Sequence, residues 1–194
     1  VEPWVVAVWT AAAVLATVGF VIFEMRHADP VLQPSMYRNR TFAAANVAIG
    51  LSNLAMYTTL LGVPILLGGR RGQSDFQIGL VLTGLSMGMA VLAPISGRLT
   101  DRYGRRLPSI LGLTILTAGS LLLVLLGPEI GIAGLVAALL VSGIGLGIAG
   151  TGLQTSAVES VASGHAGTGS GMSSTSRYFG SIVGSSILAG LVAG

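Results

Sequence analysis

The chain has 194 residues, of which 52% are hydrophobic and only 9% are charged, and its mean hydropathy is +0.83. Soluble globular proteins carry about 25% charged residues, so this composition excludes a soluble enzyme, a nucleic-acid-binding protein and a disordered region. The formal net charge is +3, and every basic residue is arginine. Cysteine is absent, which excludes disulfide bonds and thiolate metal sites. The composition predicts an integral membrane protein that crosses the bilayer several times.

Six apolar segments are each long enough to form a membrane-spanning helix, which needs about 20 predominantly apolar residues. The predicted spans are 3–23, 43–68, 76–97, 107–127, 130–155 and 167–192. Helices satisfy every backbone hydrogen bond within lipid, whereas open strands do not. We therefore predict an all-α membrane protein whose six transmembrane helices are joined by mostly short connections, as in an up-and-down bundle.

Arginines in the connections predict the orientation in the membrane. Seven of them lie in the first and third connections, whereas the second connection carries only Arg70 and Arg71. Cytoplasmic connections are enriched in Lys and Arg, so 24–42, 98–106 and 156–166 are predicted to be cytoplasmic. The predicted location is the cell membrane (the plasma or inner membrane), with both ends of the chain on the outer side.

The two ends of the chain lie in or beside predicted spans. The sequence begins at Val1 rather than at methionine, and it stops at Gly194 within an apolar segment. A chain that ends outside the cell in mid-helix is unusual. We therefore expect this sequence to be part of a longer membrane protein.

Glycines four residues apart predict places where two helices approach closely, because small residues allow backbone contact. Three such pairs are present: Gly84 with Gly88, Gly143 with Gly147, and Gly180 with Gly184. The stretch Gly145–Gly150 also matches the G-x-G-x-x-G pattern of dinucleotide-binding folds, but it lies in a long uncharged segment rather than after a strand. No nucleophile–base arrangement or group of metal ligands is present in the sequence, so neither enzymatic activity nor a cofactor or metal is predicted.

The segment Gly97–Arg106, with the sequence GRLTDRYGRR, is the most informative part of the chain. We predict a short cytoplasmic hairpin in which Gly97 lets two helix ends approach and Gly104 permits a tight turn. Asp101 is predicted to accept hydrogen bonds from the N-terminus of a neighbouring helix or to pair with an arginine. The flanking arginines hold the loop at the cytoplasmic face: Arg102, Arg105 and Arg106. The alternative is a basic loop that only follows the positive-inside rule.

This segment resembles the signature loop of the major facilitator superfamily, which joins the second and third helices of a six-helix half. Three further stretches are similar to segments of the fourteen-span drug:proton antiporter branch: Arg38–Phe42, Gly143–Gly147 with Gln154, and Gly167–Gly171 followed by Arg177–Gly180. The resemblance implies that 1–42 forms a linker transmembrane helix with its cytoplasmic connection. It implies that 43–194 supplies five of the six helices of a C-terminal half, with the N-terminal half missing from this chain.

In the second span, one helical face carries the polar residues Asn46, Asn53 and Tyr57 together with Gly50 and Pro64. Polar groups in lipid turn toward partner helices or water, and the resemblance implies that this helix lines the substrate cavity. Interhelical hydrogen bonds and a proline kink without ligand contact explain the pattern equally well.

Arg177 is the only formal charge between 160 and 194. A charge inside a membrane helix is a functional candidate by default, and its partner would be Glu159 or an acid of the missing half. Alternatively, the side chain reaches back to the cytoplasmic interface. Gln154, at the cytoplasmic end of the fifth span, is a further candidate for the cavity wall.

The resemblance implies a secondary transporter that works by alternating access and exports hydrophobic or cationic drug-like compounds in exchange for protons. Its partners would be the lipid bilayer, a small-molecule substrate, protons and the missing half, and no nucleic acid. No acidic residue lies deep in a predicted span, so this chain does not display a proton-carrying group of its own. A nutrient symporter or facilitator of the same superfamily and a non-functional truncated remnant are the alternatives.

Overall fold

The structure is a computed structural model that describes residues 3–26, 33–70, 72–127 and 131–193. Arg71, one of the two arginines of the second connection, lies outside these residues. The six long helices are α1 Pro3–Arg26, α2 Arg40–Pro64, α3 Asp75–Tyr103, α4 Arg106–Leu126, α5 Ile132–Glu159 and α6 Ala166–Ala193. No strand occurs among the described residues. The predicted all-α fold with six helices is confirmed.

Four helical segments are long and apolar enough to cross a membrane: Arg40–Gly69, Asp75–Tyr103, Arg106–Leu126 and Ile132–Glu159. Helix α6 has 28 residues, but its many serines and glycines lower its hydropathy. Helix α1 contains a shorter apolar stretch, Ala11–Phe20. The four segments support a protein that crosses the membrane several times.

Local sequence signals explain where α2 and α3 begin and end. Asn39 caps α2, because its side-chain oxygen accepts hydrogen bonds from the backbone of the first turn. Ser74 and Gln77 form a reciprocal capping box at the start of α3. At the other end of α2, Pro64 is followed by a π-helical segment, Ile65–Arg70. Local π-helical adjustments help to satisfy backbone groups that a proline frees in a membrane helix.

Helix α3 is longer than predicted, and the predicted hairpin is correspondingly shorter. The helix continues through Arg98–Tyr103, so only Gly104 and Arg105 separate α3 from α4. Hydropathy marks where a chain leaves the lipid, whereas a helix ends where its hydrogen bonding is interrupted. That interruption comes at Gly104, whose φ of 76° is rarely adopted by other residues. Helix α5 likewise continues to Glu159, beyond its predicted end.

The chain divides into two compact units, of which the first, Val1–Ser35, contains α1 and the second, Met36–Gly194, contains α2 to α6. Within the second unit, α5 is central and packs against α3, α4 and, less extensively, α2. Helices α2 and α6 form a second closely packed pair. Among the three most extensive contacts, α4–α5 joins consecutive helices as in an up-and-down bundle, whereas α3–α5 and α2–α6 join helices that are not neighbours along the chain.

The three predicted glycine pairs all lie where helix backbones meet, as predicted. A Cβ atom added at Gly88 would lie 2.6 Å from the carbonyl oxygen of Leu140 on α5. The same construction at Gly184 would place a Cβ 2.6 Å from the carbonyl oxygen of Leu54 on α2. Gly143 approaches the backbone of Leu85 in the same way. These contacts leave no space for a side chain, so glycine is required by packing.

A second glycine stripe on α5, which sequence reasoning missed, faces α4. Added Cβ atoms at Gly145 and Gly152 would lie 2.7 Å from the Gly112 carbonyl oxygen and 2.9 Å from the Arg105 carbonyl oxygen, respectively. Gly119 on α4 packs in the same way against Ser142. Because these α5 glycines are seven residues apart, a search for four-residue spacing does not find them.

Candidate functional site

A cavity of about 300 Å³ lies between α2, α3, α5 and α6. Its apolar wall is formed by Ile49, Met56, Met89, Leu146, Ala149, Gly150 and Leu153. Its polar lining consists of Ser52, Asn53, Tyr57 and Arg177. A mostly apolar cavity with a few convergent polar groups is typical of a small-molecule site. Three residues predicted from the sequence therefore lie together: Asn53, Tyr57 and Arg177.

Arg177 contacts a fourth predicted residue. Its Nη2 donates a hydrogen bond to Oε1 of Gln154, at 3.1 Å, across the contact between α6 and α5. The suggested pairing of Arg177 with Glu159 is wrong, because Glu159 forms an ion pair with Arg105 instead. Within the described ranges Arg177 has no carboxylate partner. Most of its five N–H donors therefore remain available to a ligand or to another part of the protein.

Other polar groups of the cavity also have unused hydrogen-bonding capacity. Ser52 is buried, and its Oγ has no hydrogen-bond partner in the described structure. Asn53 donates from Nδ2 to the backbone oxygen of Ile49, at 2.9 Å. Its side-chain oxygen takes no part in this bond and can accept a hydrogen bond from a ligand. Sequence reasoning missed Ser52, because a serine in an apolar helix usually bonds to its own backbone.

Asn46 lies apart from this cavity, although it was predicted on the same helical face. It is 1% exposed, and its Nδ2 donates to the backbone oxygen of Phe42. Asn46 instead lines a separate cavity of about 390 Å³ between α2 and α6. The lining of this cavity includes the close contact between Gly50 and Gly180, where α6 crosses α2. Helical periodicity alone does not predict such a crossing.

The Gly97–Arg106 segment is only partly as predicted. Gly104 provides the turn between α3 and α4, as expected from its position. The reason given for Gly97 is wrong, because it lies inside α3 and an added Cβ would meet no atom of the described structure within 4 Å. Its small size is therefore not needed for a helix contact within this part of the chain.

Asp101 does not make the predicted contacts. It is exposed in the last turn of α3, and it forms neither a hydrogen bond nor an ion pair with the described residues. The reason is the continuation of α3, which places Asp101 on a helix surface rather than in a hairpin loop. Nearby, the guanidinium carbon of Arg102 lies 5.3 Å from the ring centroid of Tyr103, within the range of a cation–π contact.

Three helix ends meet beside this segment. Arg105 pairs with Glu159 at 2.7 Å, which joins the start of α4 to the end of α5. Asn39, the cap of α2, donates from Nδ2 to the backbone oxygen of Ser160, at 2.7 Å. These contacts bring the first, third and fifth connections to one end of the helices, which agrees with the predicted alternation. The capping role of Asn39 was missed, although asparagine before a helix is a recognised signal.

Comparison with known proteins identifies the family. Residues 41–194 match the model of the Major Facilitator Superfamily. This chain belongs to the major facilitator superfamily. The family predicted from the Gly97–Arg106 segment is thereby confirmed.

Individual relatives are similar over most of this chain. The chain is 31% identical over 192 residues to YvkA, an uncharacterised MFS-type transporter of Bacillus subtilis, a match that covers 99% of the chain and 43% of YvkA. It is 32% identical over 196 residues to the multidrug resistance protein Stp of Mycobacterium tuberculosis, covering 97% of the chain and 35% of Stp. The tetracenomycin C resistance and export protein of Streptomyces glaucescens is 35% identical over 111 residues, covering 57% of the chain and 20% of that protein. The chain thus spans less than half the length of these relatives.

Proposed function

We propose that this chain is part of the C-terminal half of a secondary transporter that exports drug-like hydrophobic or cationic compounds in exchange for protons. The observation that carries the proposal is the cavity lined by Asn53, Tyr57 and Arg177 between four helices. Family membership supports transport in general, and two relatives are named for drug resistance or export. The fourteen-span drug:proton branch is part of the same proposal.

The chemistry of the cavity indicates which part of a substrate this wall would contact. Its aliphatic and methionine side chains suit an apolar molecule, and methionine adapts to ligands of different shape. The hydroxyl groups of Ser52 and Tyr57 and the guanidinium of Arg177 all donate hydrogen bonds, so they would hold an acceptor group of the substrate. A cationic substrate would need a carboxylate from outside the described residues, because this wall supplies none.

The proposed arrangement in the full-length protein follows from the family layout. Residues 1–42 would form the linker helix and its cytoplasmic connection, and 43–194 would form five helices of the C-terminal half. The N-terminal half would complete the cavity, since members of this superfamily bind substrate near the membrane midplane between two halves. The ends of α2, α4 and α5, which meet through the Asn39–Ser160 and Arg105–Glu159 contacts, would face the cytoplasm.

The Gly97–Arg106 segment would control the conformational change without touching the substrate. In the structure Arg105 is held by Glu159, whereas Asp101 is exposed and unpaired with respect to the described residues. Asp101 is therefore available to accept hydrogen bonds in a second conformation. We place Gly97, Asp101 and Gly104 in this gate, together with the three arginines Arg102, Arg105 and Arg106.

The proposal is tested by efflux assays with the full-length transporter in membrane vesicles. Arg177→Gln and Tyr57→Phe each remove a donor from the cavity, so we expect the apparent substrate affinity to fall about fivefold for the tyrosine and about tenfold or more for the arginine. Arg38→Gln and Tyr178→Phe are matched controls, because both residues are exposed and lie outside this cavity and outside the Gly97–Arg106 segment. Equal affinities for cavity and control variants would contradict the assigned site.

The same vesicles distinguish the alternatives. A proton antiporter should export substrate faster when protons move down their gradient in the direction opposite to the substrate. Reversing the gradient should slow this export. A transport rate that is the same for both polarities of the proton gradient would favour a facilitator. A rate that is higher when protons and substrate move in the same direction would favour a symporter. A correctly inserted full-length protein with no transport of any tested compound would favour a non-functional remnant.

A further inference from the structure

A second basic feature of the molecule lies outside the proposed substrate cavity. A groove of about 490 Å³ runs between α2, α4 and α5, and Arg40, Arg105 and Arg106 line one end of it. The remaining lining residues are Thr41, Ala44, Ala45, Ala48, Ser109, Ile110, Leu113, Leu153 and Ser156. It shares only Leu153 with the 300 Å³ cavity, so the groove is a separate site.

Positive charge is concentrated at the arginine end of the groove. Arg105 is neutralised by Glu159, but Arg40 and Arg106 form no ion pair within the described parts of the chain. Helix α4 starts here without a side-chain cap, so its first backbone N–H groups and the positive end of its dipole add to the field. Two free guanidinium groups beside an uncapped helix N-terminus favour an anion with several oxygen atoms.

Below the arginines, the groove is apolar. On α2, Arg40, Ala44 and Ala48 are spaced by four residues and form one stripe, and Arg106 and Ile110 begin a matching stripe on α4. Eight residues of helix extend about 12 Å along the axis. The groove therefore runs from a basic end at the membrane surface into the depth of the hydrocarbon. The alanines leave open the space that a larger side chain would fill.

We propose that this groove binds one anionic phospholipid. Its phosphate would lie between Arg40 and Arg106, and an acyl chain would lie along Ala44, Ala48 and Ile110. A soluble anion would use only the basic end, and a zwitterionic lipid would gain little from two uncompensated arginines. Basic pockets between transmembrane helices at the cytoplasmic side are suited to anionic headgroups, and the predicted orientation places this end in that leaflet.

The proposal is tested by native mass spectrometry of the full-length protein in detergent, with phosphatidylglycerol or phosphatidylcholine added at graded concentrations. We expect tighter binding of phosphatidylglycerol. One basic residue near the surface changes binding of anionic lipid by about fivefold. Arg40→Gln should therefore weaken binding of this lipid about fivefold, and Arg40→Gln with Arg106→Gln should weaken it further. The matched control is Arg98→Gln, which removes the same charge from an exposed position outside the groove and should leave binding unchanged.

A second variant tests the apolar part without changing any charge. Ala48→Phe would fill the groove, so we expect it to weaken binding of phosphatidylglycerol. The weak binding of sn-glycerol 3-phosphate, which has no acyl chain, should be the same in this variant as in the unmodified protein. Inorganic phosphate and sn-glycerol 3-phosphate should compete poorly with the intact lipid. The proposal is overturned if the two lipids bind equally, if Arg98→Gln weakens binding as much as Arg40→Gln, or if free phosphate competes at the concentration of the lipid. Lipid binding is measured without transport, so this outcome is independent of the efflux assays.

Discussion

Two regions of the second unit differ in how their helices meet. In the α3–α4–α5 region, glycines on both sides of α5 bring backbones into contact, as at Gly88 and Gly145. In the α2–α6 region, glycine contacts also occur, at Gly50–Gly180 and Gly184–Leu54, but two cavities of about 390 and 300 Å³ lie beside them. Packed backbones cannot shift without clashes, whereas side chains that line the 390 and 300 Å³ cavities have room to change rotamer. The comparison suggests that the first region is a rigid support and that the second forms the adaptable wall of the transport site.

Adding one methyl group to α5 tests most directly whether the α3–α4–α5 region is rigidly packed. An added Cβ at Gly145 would lie 2.7 Å from Leu116 Cα, whereas one at Gly150 would meet no described atom within 4 Å. We expect Gly145→Ala to lower the free energy of unfolding by about 1–3 kcal/mol. Gly150→Ala should leave it unchanged or raise it by up to about 1 kcal/mol, because alanine favours the helix. Thermal unfolding of both variants checks this, and equal stabilities would remove the case for a rigid α3–α4–α5 region.

A substitution at the end of α3 tests whether Asp101 contributes to the conformational change rather than to the stability of the fold. Asp101→Asn removes a charge that makes no ion pair with the described residues, so we expect no loss of stability or membrane insertion. If Asp101 stabilises a second conformation, efflux should fall about tenfold or more, in the range of typical conformational couplings. Asp75→Asn, in the first turn of the same helix, is the control. Normal efflux by the Asp101 variant would exclude its proposed role in the gate.

The smallest expected effects come from two buried serines. Ser96 lies in the packed region and donates to the backbone oxygen of Ile148 on α5, so Ser96→Ala should cost about 1 kcal/mol of unfolding free energy. Ser52 lines the cavity without a partner in the described structure, so Ser52→Ala should leave stability unchanged or slightly higher. If Ser52 binds substrate, the same variant should also reduce apparent substrate affinity about fivefold. Chemical or thermal unfolding, measured beside efflux, distinguishes these two outcomes.

Much of the fold follows from the sequence alone, because runs of apolar residues define membrane helices directly. The convergence of Asn53, Tyr57 and Arg177 was also predictable, since isolated polar residues in apolar helices must face a shared interior. Asn46 was predicted with them, but its separation depends on where α6 crosses α2, and that is a property of tertiary packing.

The ends of helices and the partners of charges were less predictable. Hydropathy places the membrane surface near Gly97, yet α3 continues until Gly104 because no residue interrupts its hydrogen bonding before that point. The pairing of Arg105 with Glu159 joins residues 54 positions apart, and many arginines in the sequence were equally plausible partners. Distances of this kind are set by helix packing and not by local sequence.

The glycine stripes on α5 also bear on how such a protein can change during evolution. Gly88, Gly143 and Gly145 admit no larger side chain. A substitution at one of these contacts would destabilise the folded protein and would therefore be selected against. Polar lining residues of the cavity, such as Asn53 and Tyr57, are only partly buried and border open space. A new substrate range could therefore arise by single substitutions on α2 and α6, while the framework beside them stays the same.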